Sequence, residues 1–132
     1  MPGLAQPAGH SKAWRMKAVV CAADELAKGH MRPAKLGPFP IVVVRTPDGS
    51  LFALLDKCLH QGGPLSRGRL GATSAGSEDV DDYRFERSGE ILRCPWHGYE
   101  YDVRDGHLLA DPSRHLGTFT AREEDGNIVV ER

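Results

Sequence analysis

Cys58-Leu59-His60 and Cys94-Pro95-Trp96-His97 each bring one thiol and one imidazole within a few residues of each other. Thiolate sulfur and imidazole nitrogen are ligands that borderline and soft metals accept. The two loops together supply four donors, enough for a closed metal site. With one residue between them on an extended backbone, Cys58 and His60 project to the same side, because successive side chains alternate faces. In the second loop Pro95 fixes its own φ and biases Cys94 away from helix, which makes a tight loop. Gly62, Gly63 and Gly98 follow the ligands. Each can take positive φ and let backbone N–H groups approach a bound group closely.

The elements that must hold these loops read as short strands. Residues 41–45 and 50–56 flank Pro47-Asp48-Gly49, and Asp-Gly between apolar runs is a hairpin signal. In the second run Leu51, Ala53 and Leu55 share one face, with Phe52 and Leu54 on the other. Both faces are apolar, as a strand covered on both sides requires. This hairpin delivers the chain into Cys58, mounting the first loop on a strand end. Arg69-Leu70 starts another short strand. Residues 91–93 lead into the second loop and 99–103 lead out to the turn Arg104-Asp105-Gly106, so that loop too sits at a hairpin tip. Residues 14–20 (WRMKAVV) have strand-like content, and residues 22–27 (AADELA) make about one helical turn before Gly29. After a break at Asp111-Pro112, residues 118–123 and 127–131 flank Asp125-Gly126, a further hairpin. Turn signals at this frequency predict an all-β domain of small packed antiparallel sheets.

On ligand identity alone, Cys2His2 with short spacing is also a structural zinc pattern. The usual zinc finger places a histidine pair on a helix, whereas here each loop holds one of each ligand between strand-like runs. Flanking residues carry the distinction further. CLHQGGPLSRG (58–68) and CPWHGYEYDVRDG (94–106) resemble the two cluster-binding loops of Rieske-type [2Fe–2S] ferredoxins, in which two cysteines hold one iron and two histidines the other. The looser likeness runs from about residue 16 onward. The resemblance implies Cys58 and Cys94 on the first iron and His60 and His97 on the second. It implies the Rieske fold, a base of antiparallel strands with a smaller cluster-binding subdomain inserted between them. It also implies a docking rim for redox partners at Leu59, Gln61, Trp96 and the histidine edges, with Gly63, Pro95, Gly98 and Tyr101 lining the cluster.

The high-potential branch of that family has an extra cysteine in each loop, bridged as a disulfide, where this chain has Gly63 and Trp96. That branch also has a serine two residues after the second histidine and a tyrosine four after; here Tyr99 replaces the serine and Tyr101 is kept. A potential toward the bottom of the Rieske range of roughly −150 to +300 mV is expected. Two histidine ligands should make that potential fall at alkaline pH, because oxidised iron lowers imidazole pKa.

At 132 residues the chain is one domain by length. Residues 1–13, with Pro, Gly and no periodicity, are expected to form a flexible tail, and 14–132 a single domain whose cluster-binding part spans about 57–105. There is no room after His97 for the mononuclear-iron domain of ring-hydroxylating oxygenases, so the resemblance points to free-standing carriers. Lys plus Arg number 17 and Asp plus Glu 18. This near balance shows no basic stripe for nucleic acid. Apolar runs such as 18–23 and 41–44 fall far short of the roughly 20 residues of a membrane span. With no leader-like segment at the N-terminus, a cytoplasmic monomer is expected. Three cysteines, two of them ligands, leave Cys21 as a buried small hydrophobe and speak for a reducing compartment.

Residues 71–89 are Gly, Ala, Ser and acidic, making the 33 residues between His60 and Cys94 longer than small Rieske carriers usually have. Loop closure grows only logarithmically with length, so such an insertion is compatible with the site. It reads as a solvated excursion, with a short hairpin around 83–85, or with Glu78, Asp79, Asp81 and Asp82 as an acidic docking patch. His10, His30, His107 and His115 lack partners at ligand spacing and read as surface or turn residues. The reading that follows is a one-electron carrier between a reductase and an oxygenase or other terminal enzyme, met by transient docking. The alternatives are an accessory subunit like the small subunit of nitrite reductase, or a zinc-stabilised interaction domain.

Overall fold

The structure is a computed structural model that describes residues 16–59, 62–71, 89–95 and 98–132. Two antiparallel sheets account for it. The larger contains β1 (Lys17–Ala22), β2 (His30–Leu36), β3 (Phe39–Arg45), β4 (Leu51–Leu55), β10 (Thr118–Glu124) and β11 (Asn127–Glu131), in the order β1-β11-β10-β4-β3-β2. The smaller contains β5 (Arg69–Gly71), β6 (Ile91–Arg93), β7 (Glu100–Asp102), β8 (His107–Leu108) and β9 (Asp111–His115), in sequence order. The whole smaller sheet is inserted between β4 and β10 of the larger, which is the base-plus-inserted-subdomain arrangement expected.

Alternation along the central strands builds two cores. Val42 and Val44 of β3 and Leu54 of β4 face one side, where they pack with Leu92, Tyr101, Val103 and Leu108 of the smaller sheet and its connections. Ile41, Val43 and Ala53 face the other side, packing with Cys21, Leu36, Ile128 and Val130. The larger sheet curls until its edge strands β1 and β2 meet, which encloses this second core. Cys21, at a bulge in β1, is a buried member of it, as expected. The expected strand at 14–20 begins at Lys17 and extends through Ala22, and the helical turn is a 3₁₀ turn at Ala23–Glu25.

The Asp-Gly hairpins form as read. In the last of them Asp125 and Gly126 both have positive φ, 53° and 79°, the conformation of a two-residue type I′ turn. Three strands escaped the reading, β2, β8 and β9, and in β2 and β9 proline is the reason. Pro33 lies in β2 and Pro112 in β9. Each strand ends its sheet, and an edge position leaves one side of the backbone without a ladder partner, so a missing N–H is tolerated. Asp111-Pro112 is therefore not a break: all five residues of β9 are exposed and paired on one side only.

The sheets are tied by Arg104, in the turn after β7. Its guanidinium donates to both carboxylate oxygens of buried Glu90 at 2.9 Å and lies over the Phe52 ring of β4. This fork geometry is the one Arg makes best.

Candidate metal centre

Both cysteines are buried, Cys58 at 3% and Cys94 at 2% exposure, and both belong to the core between the sheets. Neither is in a disulfide. Cys58 lies three residues beyond β4, and Cys94 follows β6 directly, so each thiol is carried by a strand of a different sheet.

The backbones of the two loops close in the same way. Cys58 N–H donates to the Gly63 carbonyl and Gly62 N–H to the Cys58 carbonyl, both at 2.8 Å. In the second loop Cys94 N–H donates to the Tyr99 carbonyl at 2.8 Å and Gly98 N–H to the Cys94 carbonyl at 3.1 Å. The glycine four residues after each cysteine takes positive φ, 72° at Gly62 and 71° at Gly98, a conformation that an L side chain adopts only with strain. Gly63 lies outside that region; its role is to supply the carbonyl that closes the loop. This equivalence between the loops, with cysteine at i, positive-φ glycine at i+4 and closure at i+5, was visible in the sequence only as Cys58/Gly62 and Cys94/Gly98.

Tyr101 joins the two halves. It is fully buried on β7, and its hydroxyl lies 3.3 Å from Cys58 Sγ while accepting from Leu59 N–H at 3.0 Å. Either group can donate across that contact while Cys58 is a thiol; once the sulfur is a thiolate only the phenolic hydroxyl can. Burial, then the contact with Cys58 and the nearby charge of both thiols, raises the hydroxyl's pKa well above the ordinary phenol value, so the phenol stays protonated. Among the expected lining residues this is the one whose contact with the Cys58 sulfur is explicit.

Sequence reading missed the brace around the first loop. Buried Asp56 accepts from Ser66 N–H at 2.7 Å and Ser66 Oγ at 2.6 Å, bridging the chain just before Cys58 to the 3₁₀ turn Leu65–Arg67 after it. The signal available was an aspartate at a strand end and a serine ten residues on, and nothing in that spacing demands a pair. Leu59, expected on the rim, is exposed, and so is Pro95, expected to line the cluster. His60, Gln61, Trp96 and His97 lie outside the described residues, as does most of the insertion with its acidic run and its expected hairpin. The insertion's ends are described: Gly89 N–H donates to the Gly71 carbonyl at 2.9 Å, so the chain leaves the smaller sheet and returns at one point. Gly71 itself belongs to β5, which narrows the excursion expected at 71–89. His30, His107 and His115 sit on β2, β8 and β9, and His107 pairs with Asp105 of its own turn.

These features match a known family: the model of the Rieske [2Fe–2S] domain fits residues 16–120. The chain belongs to the Rieske family. Among its relatives is the ferredoxin component of the p-cumate 2,3-dioxygenase system of Pseudomonas putida, 30% identical over 113 residues, covering 85% of this chain and 82% of that protein. Apoptosis-inducing factor 3 of Mus musculus is 33% identical over 116 residues, but the chain spans only 16% of it. Among solved structures, a chain of the complex of reduced oxygenase and oxidized ferredoxin in carbazole 1,9a-dioxygenase aligns with TM-score 0.66 and 26% identity, covering 86% of this chain and 91% of that one. The putative NADH-dependent nitrite reductase small subunit from Mycobacterium tuberculosis aligns with TM-score 0.69 over 89% of this chain and 96% of that one; at 23% identity this is a likeness of fold. The Rieske domain's cofactor is a [2Fe–2S] cluster, and the donor set fits it: two buried, unbridged thiols in matched loops and a hydroxyl set to donate to sulfur.

Proposed function

We propose that the protein is a one-electron carrier that passes electrons from a reductase to an oxygenase of the multicomponent dioxygenase type. Cys58 and Cys94 hold one iron, and His60 and His97, the donors beside them in sequence, hold the other. The cluster, when bound, takes up and releases a single electron. The protein's own part is to fix the thiols on two rigid strands, exclude water from them and offer the Tyr101 hydroxyl to the Cys58 sulfur. A donor aimed at a thiolate favours the more negative, reduced state. The observation that carries this reading is the pair of identically closed cysteine loops joined through Tyr101.

Residues from about 14 onward act as one unit, with 57–105 carrying the cluster and the exposed rim at Leu59 and Pro95, with Gln61 and Trp96, meeting partners briefly. Among the described residues no helix is long and apolar enough to cross a membrane. That and the unbridged cysteines support work in the reducing cytoplasm as an iron–sulfur ferredoxin, as a monomer.

The test is electron delivery. The reductase and oxygenase components of a dioxygenase system, mixed anaerobically with this protein and NADH, should reduce the oxygenase only when the protein is present. Reduction at the same rate without it, or with the Cys94→Ser variant, contradicts the proposal.

A further inference from the structure

A cleft of about 620 Å³ opens beside the second ligand loop, lined by Arg67, Gly68, Arg69, Arg93, Cys94, Pro95 and Gly98. Three of its walls are guanidinium groups, all exposed. Two of the three oppose each other: Arg69 of β5 and Arg93 of β6 are direct cross-strand partners. Like charges in that relation destabilise a sheet, and Glu100 of β7, opposite Arg93 on its other side, offsets part of that cost.

The backbone goes to some length to gather them. A side chain at Gly68 would place its Cβ 1.9 Å from the Arg93 carbonyl oxygen, so only glycine lets the segment bearing Arg67 and Arg69 lie against the residue before Cys94. On the loop side, a Cβ at Gly98 would meet Arg93 Nη2 at 3.0 Å, so the Arg93 side chain rests on the loop that carries the second ligand pair. The positive charge is thus concentrated within one loop of a ligand sulfur, in a chain whose net charge is −1.

We propose that this cleft is the recognition site for a carboxylate-rich segment of the electron-transfer partner, which docks on the second loop's side of the cluster. The inference rests on the carrier reading for its purpose but not for its test. Charge in a concave, partly shielded wall focuses the field and steers an oppositely charged partner, raising the rate of encounter more than the lifetime of the complex. Arginine suits the task because its planar fork takes a carboxylate bidentately.

The experiment compares the wild type with R67Q/R69Q/R93Q and with a control of equal charge change on other strands, R32Q/K35Q/R114Q. The first probe is a fluorescein-labelled peptide of eight glutamates, followed by anisotropy at low salt. The cleft variant should bind it about tenfold more weakly, the sum expected of three rim charges, while the control stays close to wild type. Equal losses in both variants, or no loss in either, overturns the proposal. This readout does not depend on a loaded cluster, so a protein that proved to carry no iron would refute the carrier reading and leave the cleft decided by the peptide. In the loaded protein, oxidation by hexacyanoferrate(III), one electron passing from the reduced cluster to that anion, should slow in the cleft variant and lose much of its salt dependence; an unchanged rate and salt slope counts against the cleft. A third readout is thermal. Arg69→Gln alone should raise the melting temperature by relieving the opposed pair, and a lowered one would mark Arg69 as structural.

Discussion

The two cysteine loops close on themselves by the same hydrogen bonds, yet they are held from outside by different means. The first is braced by chemistry: Asp56 gathers both polar groups of Ser66 across its base, and Tyr101 reaches from the other sheet to the Cys58 sulfur. The second has Pro95 within it, hangs directly from β6 and is flanked by the arginine cleft, with Arg93 lying against Gly98. One loop is specified for rigidity and for tuning its sulfur. Its counterpart is left open on one side, where a partner can approach. The backbone sets the geometry common to both, and the side chains around each loop decide what that loop does.

The comparison breaks most sharply at Asp56. Asp56→Ala should cost about 1–3 kcal/mol, because it leaves the Ser66 N–H without its acceptor in a part-buried site, and it should reduce cluster content through the first loop alone. Chemical denaturation with iron analysis checks this; a variant of wild-type stability would mean the brace is idle.

The two positive-φ glycines give a matched pair. Gly62→Ala has nothing within 4 Å of the new methyl group and should cost only the left-handed strain of about 1–2 kcal/mol. Gly98→Ala carries the same strain and must also push Arg93 aside, so it should be the more damaging of the two and should weaken binding of the glutamate peptide. Equal costs and unchanged peptide binding would erase the difference claimed between the loops.

Tyr101→Phe removes one hydrogen bond. At about 0.5–1.5 kcal/mol, felt by a one-electron couple, the midpoint potential should fall by about 20–60 mV. Redox titration decides it, and a midpoint unchanged within error would make Tyr101 an ordinary core residue.

The smallest effect lies in the hairpin that carries the first loop. The Asp48 carboxyl, hydrogen-bonded first by the Thr46 hydroxyl and then by Ser50 N–H, is lowered from 3.8 to about 2. A carboxyl depressed in the folded state contributes stability that is present above its ordinary value and lost as pH falls through the folded one. The turn's contribution should fade as pH falls from 3.8 toward about 2, and Thr46→Val should move the Asp48 titration, followed by carbon NMR, back toward 3.8. An Asp48 titrating at its ordinary value in the wild type would contradict the contact.

Much of this was legible in the residues. Asp-Gly pairs between apolar runs located the β3–β4 and β10–β11 hairpins, because the positive φ at Gly49 in one and at Asp125 and Gly126 in the other restricts the residue types that fit. Apolar character on both faces of 51–55 anticipated a strand covered from two sides, which is how Leu54 and Ala53 lie. The cysteine loops were legible because ligand chemistry and glycine conformation are local. What stayed hidden depends on tertiary placement. Whether Pro33 and Pro112 interrupt strands depends on whether those strands lie at sheet edges. The Asp56–Ser66 brace joins residues ten apart across a loop, and the arginine cleft exists only because Gly68 lets two segments touch. Tyr101 was singled out by resemblance, but only folding shows its hydroxyl at the Cys58 sulfur.

The central claim is that the two cysteine loops hold a mixed-ligand di-iron centre. Metal and acid-labile sulfide analysis of anaerobically purified protein, with an EPR spectrum of the dithionite-reduced form, tests it most directly. The account predicts two irons and two sulfides per chain, a coloured oxidised protein and a reduced signal of the Rieske type. A colourless protein containing one zinc, or a reduced signal characteristic of four-cysteine ligation, would contradict it.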